Sequence, residues 1–362
     1  MKPIEPVIYA ILLLISLGLS WNAWKGESTG ANDANSSPIV LFDPGNEGLA
    51  ELHWHGEKAV TSVLFESKGK KLRSWVSAGK RIKVEGPVTP ADTAGDDDSA
   101  EDEEPATPAP PVYGEPELRS FPGGKQVTEL AERFSPLVAL RRFDSINEET
   151  LAEMGLDETT SSLSATSISG KSLDLAIGSK AYGSSDTYAR DNDGTVYLLS
   201  SKVLGALRSA ESRLMERNIL GFEAIEVSEV SLKSPGGLER SLRHEGMHDE
   251  ANAYWADPKS PDEHEVEDSF MKKLFQLRAT AFPKDTERLQ DADVEGVVRA
   301  SFPGDETPYL ELGRVQDSKR SKEGEPAYNW HARTHLTRNI WVKVSRNSAT
   351  ELSDNLDKVL NP

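Results

Sequence analysis

Cysteine is absent from this chain of 362 residues. No disulfide framework, thiolate nucleophile or cysteine-ligated zinc site can therefore form, and the absence suits a bacterial envelope protein. Positive charge is also scarce. The 41 Lys and Arg stand against 60 Asp and Glu, and the net charge of −19 argues against nucleic acid as a partner, because phosphates demand a basic surface. About half of that excess is local, since residues 87–117 hold ten acidic side chains and no Lys or Arg. Neither G-x-x-x-x-G-K-[ST] nor G-x-G-x-x-G occurs, so the chain shows no sign of binding nucleotide itself.

Long apolar runs are rare too, with one exception. Val7 to Trp24 (VIYAILLLISLGLSWNAW) carries no charge over 18 residues. At about 1.5 Å per residue it nearly spans a hydrocarbon core of roughly 30 Å. Trp21 and Trp24 lie at one end, where indole rings favour the membrane interface. A cleaved signal peptide is the competing reading. Against it stand a weak basic start, bulky tryptophans where small residues are needed, and no A-x-A. The expectation is a cytoplasmic tail (1–6), a retained transmembrane anchor (7–24) and a flexible polar tether (25–38). This places the protein in a bacterial inner membrane, single-pass, with its body in the periplasm. Residues 87–117 (seven prolines and the acidic run) read as a disordered, solvated insertion, because like charges and proline prevent packing.

The body says the same thing twice. Leu173–Gly178, Tyr188-Ala-Arg190 and Val196–Ser201 precede a helical run, and Leu310–Gly313, His331-Ala-Arg333 and Ile340–Ser345 precede another. Trp75 pairs in this scheme with Trp255, and Leu137–Arg141 with Leu274–Arg278. Apolar spacing predicts helices over Gly124–Phe143, where Pro136 kinks or splits the run, from Ser200 or Ser201 to about Arg217, and over His264–Phe282. Ser348-Ala-Thr-Glu351 reads as a capping box opening the last helix. Hairpins are expected at Ser169-Gly170 and at Asn192-Asp-Gly194. The fold class is α+β, as two tandem repeats of antiparallel hairpins plus packed helices, residues 39–222 and 223–362.

Four motifs carry possible chemistry. His244-Glu245-Gly246-Met247-His248 matches H-E-x-x-H, in which two histidines one helical turn apart hold zinc and the glutamate activates water. Gly246 opposes a helix, Asp249 follows where an uncharged packing residue is preferred, and the repeat aligns the motif with a hairpin turn at Lys68-Gly69-Lys70. Glu263, His264 or Glu267 would supply the third ligand of such a site. His53-Trp54-His55 reads as two solvent-side histidines beside an inward tryptophan. Gly26–Gly30 fits G-x-S-x-G without the strand and helix an elbow needs. Asp191-Asn-Asp-Gly194 resembles part of a calcium loop, but the first ligand position is Ala189 and the twelfth-position glutamate is missing, so it reads as a turn. The residues thus point to no catalytic group, no metal and no cofactor.

Met154-Gly-Leu-Asp-Glu158, Leu175-Ala-Ile-Gly178 with Tyr188-Ala-Arg190 and Val196–Leu199, and Leu214-Met-Glu-Arg-Asn-Ile-Leu220 resemble the bacterial domain-of-unknown-function family numbered four-three-four-zero. The resemblance covers roughly residues 39–300. It implies a single-pass envelope protein associated with ABC-2-type transporters of the gliding kind, and it carries no site residues over. The expected function is a non-enzymatic accessory or interaction subunit of such a complex, with a permease and an ATPase or auxiliary subunit as partners. A membrane-tethered zinc peptidase using His244, Glu245 and His248, and a structural envelope scaffold, are the alternatives.

Overall fold

Period-two alternation governs most of the body, and it folds into two large antiparallel sheets. The computed structural model describes residues 38–68, 71–84, 112–249, 252–262, 264–304, 308–321 and 326–361. The expected tail and anchor, nearly all of the tether and most of the acidic insertion fall outside these residues. Among the described residues no helix is long and apolar enough to cross a membrane.

Strands β1 (Ile39–Phe42) and β6 (Leu137–Ala139) form a small two-stranded sheet. The first large sheet contains β2 (Leu49–His55), β3 (Ala59–Lys68), β4 (Lys71–Val84), β5 (Val112–Pro122), β7 (Arg141–Phe143), β8 (Ser162–Ser167), β9 (Ser172–Lys180), β10 (Thr187–Asp191) and β11 (Val196–Leu199). The second contains β12 (Glu229–Lys233), β13 (Glu239–Glu245), β14 (Tyr254–Ala256), β15 (Ala279–Ala281), β16 (Glu295–Ser301), β17 (Tyr309–Gln316), β18 (Tyr328–Thr334) and β19 (Val342–Val344). Their spatial orders are β5-β4-β3-β2-β8-β9-β10-β11-β7 and β14-β13-β12-β16-β17-β18-β19-β15. With β5 set aside, the two orders coincide strand for strand.

Six α-helices accompany the sheets among the described residues: α1 (Lys125–Arg133), α2 (Glu148–Glu153), α3 (Ser201–Leu207), α4 (Ala210–Arg213), α5 (Glu265–Phe275) and α6 (Arg346–Leu360). The fold class is therefore mixed α+β. Helices α1 and α5 precede the strands at matching sheet ends, and α3 and α6 follow the matching strands β11 and β19, with Ser200 and Ser345 as their N-caps.

Several helices are shorter than their apolar spacing predicts. Helix α1 ends at Arg133, and Pro136, which lacks an N–H and crowds the preceding turn, is followed by strand β6 in place of more helix. Helix α5 ends at Phe275 and does not run to Phe282. There the Arg278 guanidinium donates to the Phe275 and Leu277 carbonyls at 2.6 and 3.1 Å, satisfying acceptors that a longer helix would use. Residues 201–213 break into two helices at Arg208-Ser209. Helix α6 begins at Arg346, ahead of the expected capping box, and Ser348 Oγ instead meets Ser345 Oγ at 3.3 Å. Both expected hairpins are present, as β8–β9 and β10–β11.

Register gives the correspondence its detail. Ala189 lies opposite Ile177 and Tyr197, while Ala332 lies opposite Leu312 and Val342. Tyr188-Ala-Arg190 thus matches His331-Ala-Arg333, but Val196 matches Trp341 and not Ile340, one residue from the alignment read in the sequence. Carried across the ladders, the same register places Trp54 with Leu232, Thr61 with Arg240, Phe65 with His244 and Ser74 with Trp255. Trp75 is therefore not the counterpart of Trp255. A one-residue offset on a strand exchanges its faces. Trp255 is 2% exposed in the core, whereas Trp75 is half-buried under the Arg338 guanidinium, 4.2 Å from its ring.

One hydrophobic cluster runs through both sheets and includes Leu52, Val63, Phe121, Leu214, Leu242 and Phe282. The segment 214–220 is the seam. Gly124 N donates to Leu214 O at 2.8 Å and Glu216 N to Pro122 O at 2.8 Å, while Ala279 N donates to Arg217 O at 2.9 Å. A short stretch without a strand of its own thereby joins β5 of the first sheet to β15 of the second. The acidic insertion departs from a hairpin, since Val84 and Val112 are opposite partners on β4 and β5.

Candidate functional site

The H-E-x-x-H residues do not share a helix. His244 and Glu245 end strand β13, and Gly246 takes the left-handed conformation at φ +70° that turns the chain toward β14. Two histidines four apart then point from a strand and a turn, so the one-turn spacing that zinc needs is missing. His244 is 8% exposed, stacks on Trp255 at 4.4 Å with an interplanar angle of 6°, and its Nδ1 sits 3.1 Å from Val227 O. The motif is thus a hairpin, yet its first histidine belongs to the core. Of the residues expected to supply a third ligand, His264 stacks on Tyr254 at 4.0 Å and Glu267 pairs with Arg240 at 2.8 Å, while Glu263 lies outside the described residues. Among the described residues no cluster of three His, Asp or Glu side chains is placed to hold a metal ion.

The other nominated positions are structural. His53 and His55 are exposed on β2 beside Trp54, which is 5% exposed. His53 meets Glu51 at 3.1 Å and His55 meets Arg81 at 2.8 Å. Asp191 closes the β10–β11 turn, accepting from Thr195 N at 2.8 Å and from Tyr197 Oη at 3.0 Å. That bond follows burial as a cause that raises the tyrosine pKa. Gly26–Gly30 falls outside the described residues.

The stretches that carry the family resemblance turn out to be packing devices. Ser179 donates to Met154 O through both its amide, at 2.8 Å, and its hydroxyl, at 3.0 Å. Gly155 turns there at φ +63°, and a side chain on Gly178 would collide with Met154 O and Leu156. In the second sheet Gly313 occupies the register of Gly178, and a Cβ there would collide with Val294 and Glu295. Glycine recurs at this position because another part of the chain crosses the strand at both places.

Two of the places where charged side chains gather among the described residues bear on function. On the second sheet Arg333 stacks over Trp341 at 4.6 Å and donates to Glu311 and Asp291. Arg299 donates to Glu311 at 2.7 Å, and Trp341 Nε1 to Asp291 at 3.1 Å. The indole bond, followed by the Arg333 guanidinium, holds the Asp291 carboxyl below its ordinary range. Burial works against the charge on Arg333, but Glu311 and Asp291 outweigh it and keep its pKa high. This groove of about 360 Å³ is lined by Lys233, Arg299 and Arg333 and by two carboxylates, and both of its arginines are paired within it.

The second place lies at the seam. A cleft of about 350 Å³ opens between β3, β4 and β5, the α3–α4 break and Thr280–Phe282. Lys80, Arg119, Arg208 and Arg217 line it, against a single acid, Glu211. Arg119 reaches Glu211 at 3.4 Å, and its buried Nε has no acceptor. Arg217 donates to Ala279 O at 3.3 Å, and Arg208 lies over Trp54 at 5.4 Å. Burial alone pulls the Arg208 guanidinium below its ordinary pKa. Sequence reading missed this cleft because its four cations come from four separate segments. The segment 214–220, which bears the family resemblance, supplies Arg217 and was the available signal.

No curated protein and no solved structure matches the chain. A family model does match, over residues 124–296, from the turn before α1 into β16. It begins well inside the span of roughly 39–300 over which the resemblance was read. That model is described as Domain of unknown function (DUF4340), and residues 124–296 contain every stretch that carried the resemblance, so the match agrees with the family read from the sequence.

Proposed function

We propose that this chain is a non-enzymatic, membrane-anchored interaction subunit of an ABC-2-type transporter complex in a bacterial envelope. In this reading residues 7–24 anchor it in the inner membrane and the body stands in the periplasm. Residues 39–222 and 223–362 are two copies of one α+β unit. The supporting observation for duplication is the shared strand order together with matched registers at Ala189 and Ala332. The observation that carries the non-catalytic reading is the role of the family-bearing residues. Met154, Gly178 and the seam from Leu214 to Leu220 hold elements together, by backbone bonds and by close approach of the chain to Gly178. The transporter setting rests on the resemblance to envelope proteins of gliding-type systems.

Affinity purification of the tagged full chain from native membranes is the test. A permease and an ATPase should co-purify in near-constant ratio, and intact mass should show the anchor retained. Recovery of the chain with neither partner would overturn the transporter role and leave a structural scaffold. A protein starting near residue 25 would overturn the anchor.

A further inference from the structure

The geometry points to a binding site at the seam cleft, specific for a small oxyanion of two or more negative charges. The reasoning starts from charge balance. In a chain of net charge −19, a pocket lined by four cations and one acid is a local inversion. Surface cations explain themselves by solvation, but Arg208 and Arg119 do not. Arg208 is half-buried, and among the described residues no carboxylate pairs with it. Arg119 is partly buried, with one long contact to Glu211 and a buried Nε lacking any acceptor. Burying a guanidinium without a counter-charge costs several kcal/mol in the general case, so such groups normally sit against an anion.

The residue types narrow the ligand. Guanidinium forks bind carboxylate or phosphate oxygens two at a time, with planar geometry, whereas chloride offers no such match. Three arginines and a lysine around about 350 Å³ suit a phosphate-type or dicarboxylate dianion and leave no room for an extended polymer. The placement gives the site a consequence for the fold. Lys80 and Arg119 belong to the first sheet and Arg217 to the seam, and Thr280 and Phe282 from the second sheet's side close the wall. An anion bound there would tie these segments together through charge-assisted bonds. The site is independent of the transporter reading, since it rests on the cleft alone.

The test is isothermal titration calorimetry of the full chain with inorganic phosphate and, separately, with succinate, at constant ionic strength. Saturable one-site binding is expected for at least one of them, and the preferred dianion identifies the class. Arg208→Met and Arg119→Gln should each weaken it tenfold or more. Arg299→Met, in the other groove where Glu311 already pairs with the arginine, should leave it unchanged. Thermal midpoints with and without the preferred dianion provide a second readout, rising only in the wild type and Arg299→Met. Should the cleft variants fold poorly, Arg208→Lys keeps the charge and loses the fork, and it should weaken binding at least threefold. No saturable heat with either probe, or an affinity indifferent to the Arg208 and Arg119 variants, would overturn the proposal.

Discussion

Arg240 is the position where the structure predicts the largest effect of a single substitution. Its side chain is 9% exposed, on β13, and it makes three contacts at once. It pairs with Asp257 at 2.9 Å and with Glu267 of α5 at 2.8 Å, and it donates to Val359 O near the C-terminus of α6. A cation at a helix C-terminus is favourable in itself. The side chains of Asp257 and Glu267 are 15% and 6% exposed, so neither can fall back on water. Arg240→Met keeps the length and apolar stem but leaves Glu267 without its cation and Asp257 with the Lys259 amide alone. Breaking a buried pair in this way costs about 3–5 kcal/mol. At roughly 2–4 °C per kcal/mol the thermal midpoint should fall by about 6–20 °C.

The counter-test distinguishes a lost charge from a lost shape. Arg240→Met combined with Glu267→Leu and Asp257→Leu removes all three charges. It should recover most of the loss, because an apolar replacement of a buried ionic cluster is often neutral or stabilising. Urea unfolding of the single and triple variants measures both. A single variant within about 1 kcal/mol of wild type, or a triple variant less stable than the single, would refute the reasoning. The first sheet lends support, since Thr61 holds the register of Arg240 and donates to Leu207 O at 2.8 Å. The same position thus ties down the helix after the last strand in both sheets, once with a hydroxyl and once with a guanidinium.

Three further outcomes follow from packing and titration. Gly178→Ala and Gly313→Ala should each cost about 1–3 kcal/mol by overpacking, with Gly178→Ala the worse because it meets a backbone carbonyl, as unfolding midpoints will show. His331 is pushed down to about 4, by burial first and by Lys343 second, so the unfolded chain takes up the proton before the folded one. Stability from neutral His331 is then complete above about pH 6.5 and lost as pH falls toward 4. The span is worth roughly 3 kcal/mol unscreened and roughly 1–2 after discounting partial exposure, and His331→Gln should flatten that slope between pH 7 and 4.5. His244→Ala should destabilise by about 2 kcal/mol through its lost stack on Trp255, whereas Glu245→Gln should not, and neither change should alter metal content measured by mass spectrometry.

Alternation and turn chemistry made much of the fold legible. Gly170 and Gly194 marked two hairpins, and the recurrence of Tyr188-Ala-Arg190 as His331-Ala-Arg333 located two strands in matching register. Helix lengths were misjudged because apolar spacing continues through residues that tertiary contacts recruit elsewhere. Leu137 kept the stripe of α1 yet became a strand partner of β1, and Leu140 became 54% exposed. The tryptophan pairing failed for a different reason. A large aromatic is conspicuous in a sequence, but face is set by register, and Trp75 and Trp255 differ by one step. The seam cleft was not legible at all, since Lys80, Arg119, Arg208 and Arg217 meet only through the sheet order.

Comparison of matching places in the two sheets sharpens the case for that cleft. Thr61 and Leu207 lie at its edge, and their counterparts Arg240 and α6 border a cavity of about 550 Å³ in the second sheet. There the guanidinium faces Asp257 and Glu267, so the chain supplies its own counter-ions. Lys259 N donates to Asp257 at 2.8 Å and, followed by Arg240, holds that carboxyl below its ordinary range against the opposing effect of burial. By register Val76 stands in the first sheet where Asp257 stands in the second, and it is fully buried and apolar. The first sheet has therefore placed cations at its version of this corner without the carboxylates that accompany them in the other. The two corners share the positions of Thr61 and Arg240 and of the helix each ties down, but the first is extended by β5, which carries Arg119 and has no counterpart in the second sheet, and folding there is already served by the neutral arrangement of Thr61 and Leu207. An anion from solution would do at Arg208 and Arg119 what Asp257 and Glu267 do at Arg240.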